Sequence, residues 1–183
     1  AAARGPVEGS TWGAYRVNLG PHDRPPFLGE PTFPPGPWEP AGYRQVARYH
    51  SALMDSADQI ERTADRARRL EAEGFVVRDL DGIGGFDAAL PLLHGIVGRA
   101  FAGAFSYTPL DLPGFRALYG PLRDQVDPAL VLTAFSPDDR PVGFCLNIGD
   151  LLHPERREFV VKTLAVEPAW GGRGIGSWLT ARS

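Results

Sequence analysis

Four glycines in six positions close the stretch Leu164-Ala165-Val166-Glu167-Pro168-Ala169-Trp170-Gly171-Gly172-Arg173-Gly174-Ile175-Gly176. The apolar run that leads into it predicts a strand, and Trp178 and Leu179 after it predict a helix that begins at Gly174 or Ile175. Glycine lets backbone N–H groups approach a ligand without an intervening Cβ. The start of a helix presents unsatisfied N–H groups to an anion. The stretch therefore predicts a cradle for a pyrophosphate.

Two common pyrophosphate loops do not fit this stretch. A P-loop ends in Gly-Lys-Ser/Thr, and no lysine is present here. A dinucleotide fingerprint begins directly after its strand, whereas four residues, Glu167 to Trp170, intervene here and Leu179 occupies the position of the third glycine. A nucleotide-binding domain is nevertheless one of the alternative functions for this chain.

The stretch resembles the acetyl-CoA loop of the GNAT superfamily of N-acetyltransferases, Gln/Arg-x-x-Gly-x-Gly/Ala after a strand of the form apolar-x-Val-x-Pro. Gly171 departs from that pattern, so one side-chain contact to the phosphates is lost while the backbone donors remain. The resemblance implies a mixed α/β, GNAT-like acyl-CoA N-acyltransferase fold, incomplete at the C-terminus, with acetyl-CoA as co-substrate. The cofactor-binding residues that it implies are Leu164, Ala165, Val166, Gly171, Gly172, Arg173, Gly174, Ile175, Gly176 and Ser177.

The resemblance also implies a chemistry. The backbone of 164–166 would bind the pantetheine arm like an added strand, and an N–H near Leu164 would stabilise the oxyanion of the thioester. Glu158 is the candidate base that removes the proton of the acceptor ammonium. The expected activity is acetyl transfer to a primary amine of a small molecule or peptide. The alternative is a non-catalytic acyl-CoA-binding or scaffold domain.

The preceding residues have the element order of the first half of a GNAT domain. A strand is predicted at 75–78, helices at 86–101 and 112–126 with a break at Gly120-Pro121, and an antiparallel hairpin from 129–135 and 141–148. In the family, the two helices contribute to the acceptor pocket. Phe101, Phe105 and Tyr107 are the candidate lining residues.

A helix is predicted at 56–73, with a capping box of Ser56 and Gln59 and with Gly74 after its end. Its apolar stripe is Ile60, Ala64, Ala67 and Leu70, and Arg62, Arg66 and Arg69 are expected to face solvent. We interpret 56–74 as a connecting helix between two units. Residues 75–183 would form the front of a GNAT domain that contains the acetyl-CoA loop.

Residues 1–55 are rich in proline and aromatic residues and contain a short predicted strand at 43–53. They resemble the tail of a preceding GNAT-like domain, with an ordered proline-rich segment as the alternative. We therefore expect the chain to be a fragment of a tandem protein. On this resemblance, the later elements of the family, including its usual catalytic acid, would lie beyond Ser183.

The composition disfavours several other classes of protein. The formal net charge of −3 does not favour a nucleic-acid partner. The chain has one cysteine and four separated histidines, which exclude an internal disulfide and argue against a metal site. Neither a membrane-spanning run nor a secretory signal is visible. We expect a cytoplasmic protein; the composition does not indicate an oligomeric state.

Overall fold

The computed structural model describes residues 40–42, 44, 54–104, 107–149 and 158–183. Apart from residue 44, the strand predicted at 43–53 lies outside the described residues, and so does the candidate pocket residue Phe105. The proposed domain boundaries at 55 and 74 stay predictions.

A four-stranded antiparallel sheet lies at the centre of the described part. Its strands are β1 (Val76–Arg78), β2 (Val131–Phe135), β3 (Pro141–Gly149) and β4 (Phe159–Val166), and they lie side by side in chain order. Each strand pairs antiparallel with its neighbour. With the helices that cover it, the sheet confirms the predicted mixed α/β class and the predicted hairpin of β2 and β3.

Four helices of eight or more residues accompany the sheet within the described ranges: α1 (Ser56–Ala72), α2 (Phe86–Ala100), α3 (Leu112–Tyr119) and α4 (Ile175–Arg182). The predicted helix at 112–126 ends earlier than expected. A 3₁₀ turn over Gly120–Leu122 follows Tyr119, because Pro121 lacks the N–H that a continuing α-helix requires.

The sheet is covered on both faces. Successive residues of a strand point to opposite faces, and Val131 accordingly packs with one cluster while Leu132 packs with another. The first cluster is made with α2 and α3, through buried residues such as Leu90, Ile96 and Phe115. The second is made with α1 and α4, through residues such as Leu70, Trp178 and Leu179. The molecule thus has two apolar layers that share one sheet.

The two ends of α1 have different caps. The N-cap is Asp55, whose side chain accepts hydrogen bonds from the backbone N–H of Ala57 and Asp58, so the predicted capping box of Ser56 is wrong by one residue. Aspartate and serine both cap helices well, so the sequence alone does not show which of the two residues is the N-cap. The C-terminal prediction is confirmed: Gly74 has a φ of +90°, and Phe75 N–H donates to the carbonyl of Leu70.

The buried face of α1 differs in part from the predicted stripe. Leu70 is 1% exposed and Thr63 is 3% exposed, whereas Ile60 is 53% exposed and does not contribute to the core. The hydroxyl of Thr63 donates to the carbonyl of Gln59, which satisfies it inside the helix. Through Leu70, α1 packs in the same apolar layer as α4.

A small polar network joins the last turn of α4 to the sheet. The amide of Asn147 donates to the Leu130 carbonyl at 2.7 Å and to the Ser183 hydroxyl at 3.0 Å. Cys145 is completely buried beside it, with its thiol 3.3 Å from Oδ1 of Asn147. Burial raises the pKa of the Cys145 thiol, and the thiolate is therefore disfavoured.

Candidate functional site

The strand that leads to the glycines is bulged and lies at one side of the sheet. Leu146 pairs with Thr163 and Asn147 pairs with Val161, so Lys162 is the additional residue of β4. Among the described strands, β4 pairs with β3 alone. The backbone groups on the other edge of β4 are therefore not occupied by any described strand. Leu164, which is 39% exposed, lies on this strand near the loop.

The turn after β4 is anchored to α2. Glu167 is 7% exposed, and Nε of Arg99 donates to its carboxylate at 2.9 Å. The backbone N–H of Glu167 donates to the Val142 carbonyl at 2.9 Å. A 3₁₀ turn over Pro168–Trp170 then carries the chain into the glycines. The loop therefore begins at a position that both the sheet and α2 determine.

The loop itself presents a run of free backbone donors. Gly172 and Gly174 have φ values of +76° and +87°, and Gly174 is the N-cap of α4. From Gly172 to Ser177, six consecutive N–H groups donate to no acceptor among the described residues, and the first bond of the helix is that of Trp178 N–H to the Gly174 carbonyl. Such a run at a helix start attracts anions.

Arg173 turns away from this run. Its guanidinium lies 5.1 Å from the ring centre of Trp170 and 5.9 Å from that of Phe75. Its Nη1 is 3.5 Å from a carboxylate oxygen of Glu73 at the end of α1. Arg173 is thus engaged with neighbouring side chains.

Arg66 of α1 is exposed, as expected, and its side chain also lies across the loop. A Cβ built on Gly174 would be 1.8 Å from Cδ of Arg66 and 2.5 Å from its Nε. The aliphatic part of Arg66 therefore occupies the space that a side chain at position 174 would need. The residue pattern of α1 does not predict this contact, because the contact depends on how α1 packs on α4.

The candidate base Glu158 precedes β4 directly and is partly buried. Leu164 lies six positions further along the extended chain, a distance of about 20 Å. A proton from an amine bound beside Leu164 would therefore need a relay to reach Glu158. The catalytic role of Glu158 stays a prediction.

Lys162 is a functional candidate that the sequence pattern did not reveal. Its Nζ lies 5.2 Å from the ring centre of Tyr119. No carboxylate forms an ion pair with it among the described residues, and burial lowers its pKa. Burial, with a smaller contribution from Tyr107, raises the pKa of Tyr119. A lysine with a lowered pKa, on the same strand as Leu164, is a candidate functional residue, because shifted pKa values are common at functional sites.

The region predicted to line the acceptor pocket is mostly packed core. A cavity of about 20 Å³ lies between α2, α3 and the sheet, which is room for about one water molecule. Phe101 and Tyr107 are in contact, with ring centres 6.1 Å apart, and both pack against this core. The cavity as observed does not accommodate an amine substrate.

No family model and no curated protein matches the chain. Among solved structures, it is similar to a GCN5-related N-acetyltransferase from Sphaerobacter thermophilus, with 25% identity and a TM-score of 0.45 over 58% of this chain and 30% of that one. It is also similar to a GCN5-related glucosamine N-acetyltransferase region of a fungal multi-domain GH3 beta-N-acetylglucosaminidase, with 19% identity and a TM-score of 0.42. That match covers 58% of this chain and 11% of the other. The chain thus spans less than a third of either neighbour.

The structure brings the predicted cofactor-binding residues together as one strand, loop and helix start. Their assignment to a ligand stays a prediction. No helix among the described residues is long and apolar enough to cross a membrane. Within the same ranges, no cluster of three or more His, Cys, Asp or Glu side chains is placed to hold a metal.

Proposed function

We propose that residues 75–183 carry the acetyl-CoA-binding half of an N-acetyltransferase domain that transfers acetyl to a primary amine. One observation carries the proposal: six free N–H donors from Gly172 to Ser177 follow a strand whose outer edge no described strand occupies. The donors suit a pyrophosphate, and the strand edge suits an amide-containing arm. Acetyl-CoA contains both groups in one molecule.

In this proposal each part of the site has one task. The N–H groups of the loop hold the pyrophosphate by charge-assisted hydrogen bonds. The backbone of Leu164 to Val166 aligns the pantetheine arm, and an N–H near Leu164 stabilises the negative charge that develops on the thioester oxygen. The acceptor amine loses a proton and attacks the carbonyl carbon, after which the C–S bond breaks and CoA leaves as thiolate. Glu158, acting through a relay, is the proposed base.

Titration calorimetry with acetyl-CoA, ATP and NAD tests the ligand class. We expect saturable binding of acetyl-CoA and weak or no binding of the nucleotides, because only acetyl-CoA uses the strand edge as well as the loop. Saturable binding of NAD without binding of acetyl-CoA would favour the nucleotide-binding alternative and contradict the proposal. Binding of acetyl-CoA without turnover of any amine would favour the non-catalytic acyl-CoA-binding alternative.

The variants Ser177→Asp and Ser177→Asn test the location of the ligand. Ser177 lies in the first turn of α4. A carboxylate in a first turn stabilises the helix, but here it would compete with the pyrophosphate for the free N–H groups. We expect Ser177→Asp to weaken acetyl-CoA binding at least about tenfold without lowering the melting temperature.

Ser177→Asn is the matched control, because asparagine has almost the same size as aspartate and carries no charge. We expect it to bind acetyl-CoA nearly as well as the native chain. If Ser177→Asp binds acetyl-CoA with native affinity, the ligand does not contact the start of α4.

A further inference from the structure

Arg66 is the long basic side chain that lies directly on the glycine loop. It projects from α1, and its Cγ, Cδ and Nε would all be within 2.8 Å of a Cβ built on Gly174. The side chain therefore passes over the N-cap of α4, where the run of free N–H groups is found. Nε of its exposed guanidinium lies beside the start of α4, although Arg66 belongs to a different element.

The guanidinium of Arg66 forms no ion pair with any described carboxylate. Several other arginines of this layer do have acidic neighbours: Arg62 has Asp58 at 3.9 Å, Arg173 has Glu73 at 3.5 Å and Arg182 has Glu71 at 3.7 Å. A guanidinium that lies beside the loop and has no carboxylate partner retains its donors for an incoming anion.

The loop has little positive charge of its own to offer an anion. Position 171 is a glycine without a side chain, and Arg173 is engaged with Glu73 and Trp170. A groove of about 290 Å³ lies between α1 and the loop, lined by Arg69, Leu70, Glu73 and Arg173. Arg66 does not line this groove, but it lies at Gly174 and so adds positive charge from α1 at the start of α4.

We infer that Arg66 is a phosphate-binding residue of this site, and that α1 forms one of its walls. Arg66 donates its guanidinium N–H groups to the pyrophosphate that the loop N–H groups hold from the other side. The inference rests on the proposed function and extends the site to an element outside residues 75–183. It gives α1 a role in binding in addition to its role in packing.

The variant Arg66→Met tests this inference in the full chain, with acetyl-CoA and acetyl-pantetheine as probes. Methionine keeps an aliphatic side chain on Gly174 and removes the charge. We expect acetyl-CoA binding to weaken about tenfold, which corresponds to about 1.4 kcal/mol. Binding of acetyl-pantetheine, which lacks the pyrophosphate, should not change. Arg62→Met is the matched control one turn earlier on α1, and it should bind both probes like the native chain.

The outcomes separate the two proposals. If the native chain binds neither probe, the proposed function fails and the role of Arg66 fails with it. Suppose that the native chain binds acetyl-CoA and that Arg66→Met binds it equally well or more tightly. Arg66 then only packs on the loop or obstructs the ligand, and this inference alone is overturned. An equal loss for both probes also overturns it, because such a loss comes from altered packing. Melting temperatures of both variants show whether the fold is retained.

Discussion

Lys162 is the single lysine of the chain, and its environment gives stability a specific pH dependence. Burial lowers its pKa in the folded state. The unfolded chain therefore holds this proton up to about pH 10.4, whereas the folded chain releases it earlier. The destabilising effect of the charge is complete below the folded pKa and disappears as the pH rises through the unfolded pKa.

We accordingly expect Lys162→Met to have a higher free energy of unfolding than the native chain at pH 7. This difference should disappear toward pH 10.5. The difference in the free energy of unfolding should be less than about 1 kcal/mol, because the side chain is only partly buried and solvent screens its charge. Urea unfolding of both proteins at the two pH values measures it. Tyr107 and Tyr119 also titrate late, since burial raises the pKa of both, but they are present in both proteins. A difference that does not vary with pH would contradict the argument.

Gly174 shows what could be predicted for single residues. A glycine at the start of the helix was predicted from the loop pattern, and its φ of +87° explains why glycine is needed. The expected reason for excluding a side chain was a collision with the ligand. In the structure the nearest obstacle is instead Arg66, at 1.8 Å from the built Cβ. The local sequence predicts the backbone conformation of a residue. It does not predict which side chain from a distant element will lie against that residue.

At the scale of elements, the contact between Arg99 and Glu167 joins α2 to the start of the loop. Arg99→Met should destabilise the fold by about 1–3 kcal/mol, because it leaves a carboxylate that is only 7% exposed without its charged partner. Adding Glu167→Gln should recover part of that loss, since the neutral amide costs less to bury. A double-mutant cycle in urea measures the coupling free energy. Strictly additive effects would show that the contact does not anchor the loop.

Element positions were mostly predictable because they depend on periodicity and on chain-breaking residues. The hairpin and the start of α4 are confirmed within one or two residues, and a strand leads into the glycines as expected. The predictions for α1 were less accurate. Ile60 fits the helical stripe but is exposed, while the polar Thr63 is buried. Which part of a helix reaches its neighbour depends on the crossing of the two helices, and periodicity does not contain that information.

At the scale of the whole molecule, the question is whether α1 belongs to the same cooperative unit as the sheet. Leu70→Ala should cost about 2–5 kcal/mol, because Leu70 is 1% exposed and packs in the cluster that contains Trp178. Ile60→Ala on the same helix is the matched control and should change stability by less than about 0.5 kcal/mol, since Ile60 is 53% exposed. Chemical denaturation measures both. Equal and small effects would show that α1 only connects two units.

The candidate site was predictable as a motif but not as an assembly. The strand and glycines are contiguous in sequence, so their pattern indicated a pyrophosphate cradle. Three further residues reach this region: Arg66 from α1, Arg99 from α2 and Lys162 from the bulge in β4. Their spacing in the sequence does not predict these positions. Their positions follow from the way the two layers pack on the sheet.

The burial of Cys145 gives the molecule an intrinsic reporter. Its thiol is covered in the layer that α1 and α4 form, beside Asn147 and Ser183. A thiol reagent can reach it only when α4 separates from the sheet. When closing is faster than labelling, the labelling rate of this single cysteine, compared with that of a free thiol, gives the free energy of that separation under native conditions. A ligand that bridges α1 and the loop would slow the labelling without any introduced probe.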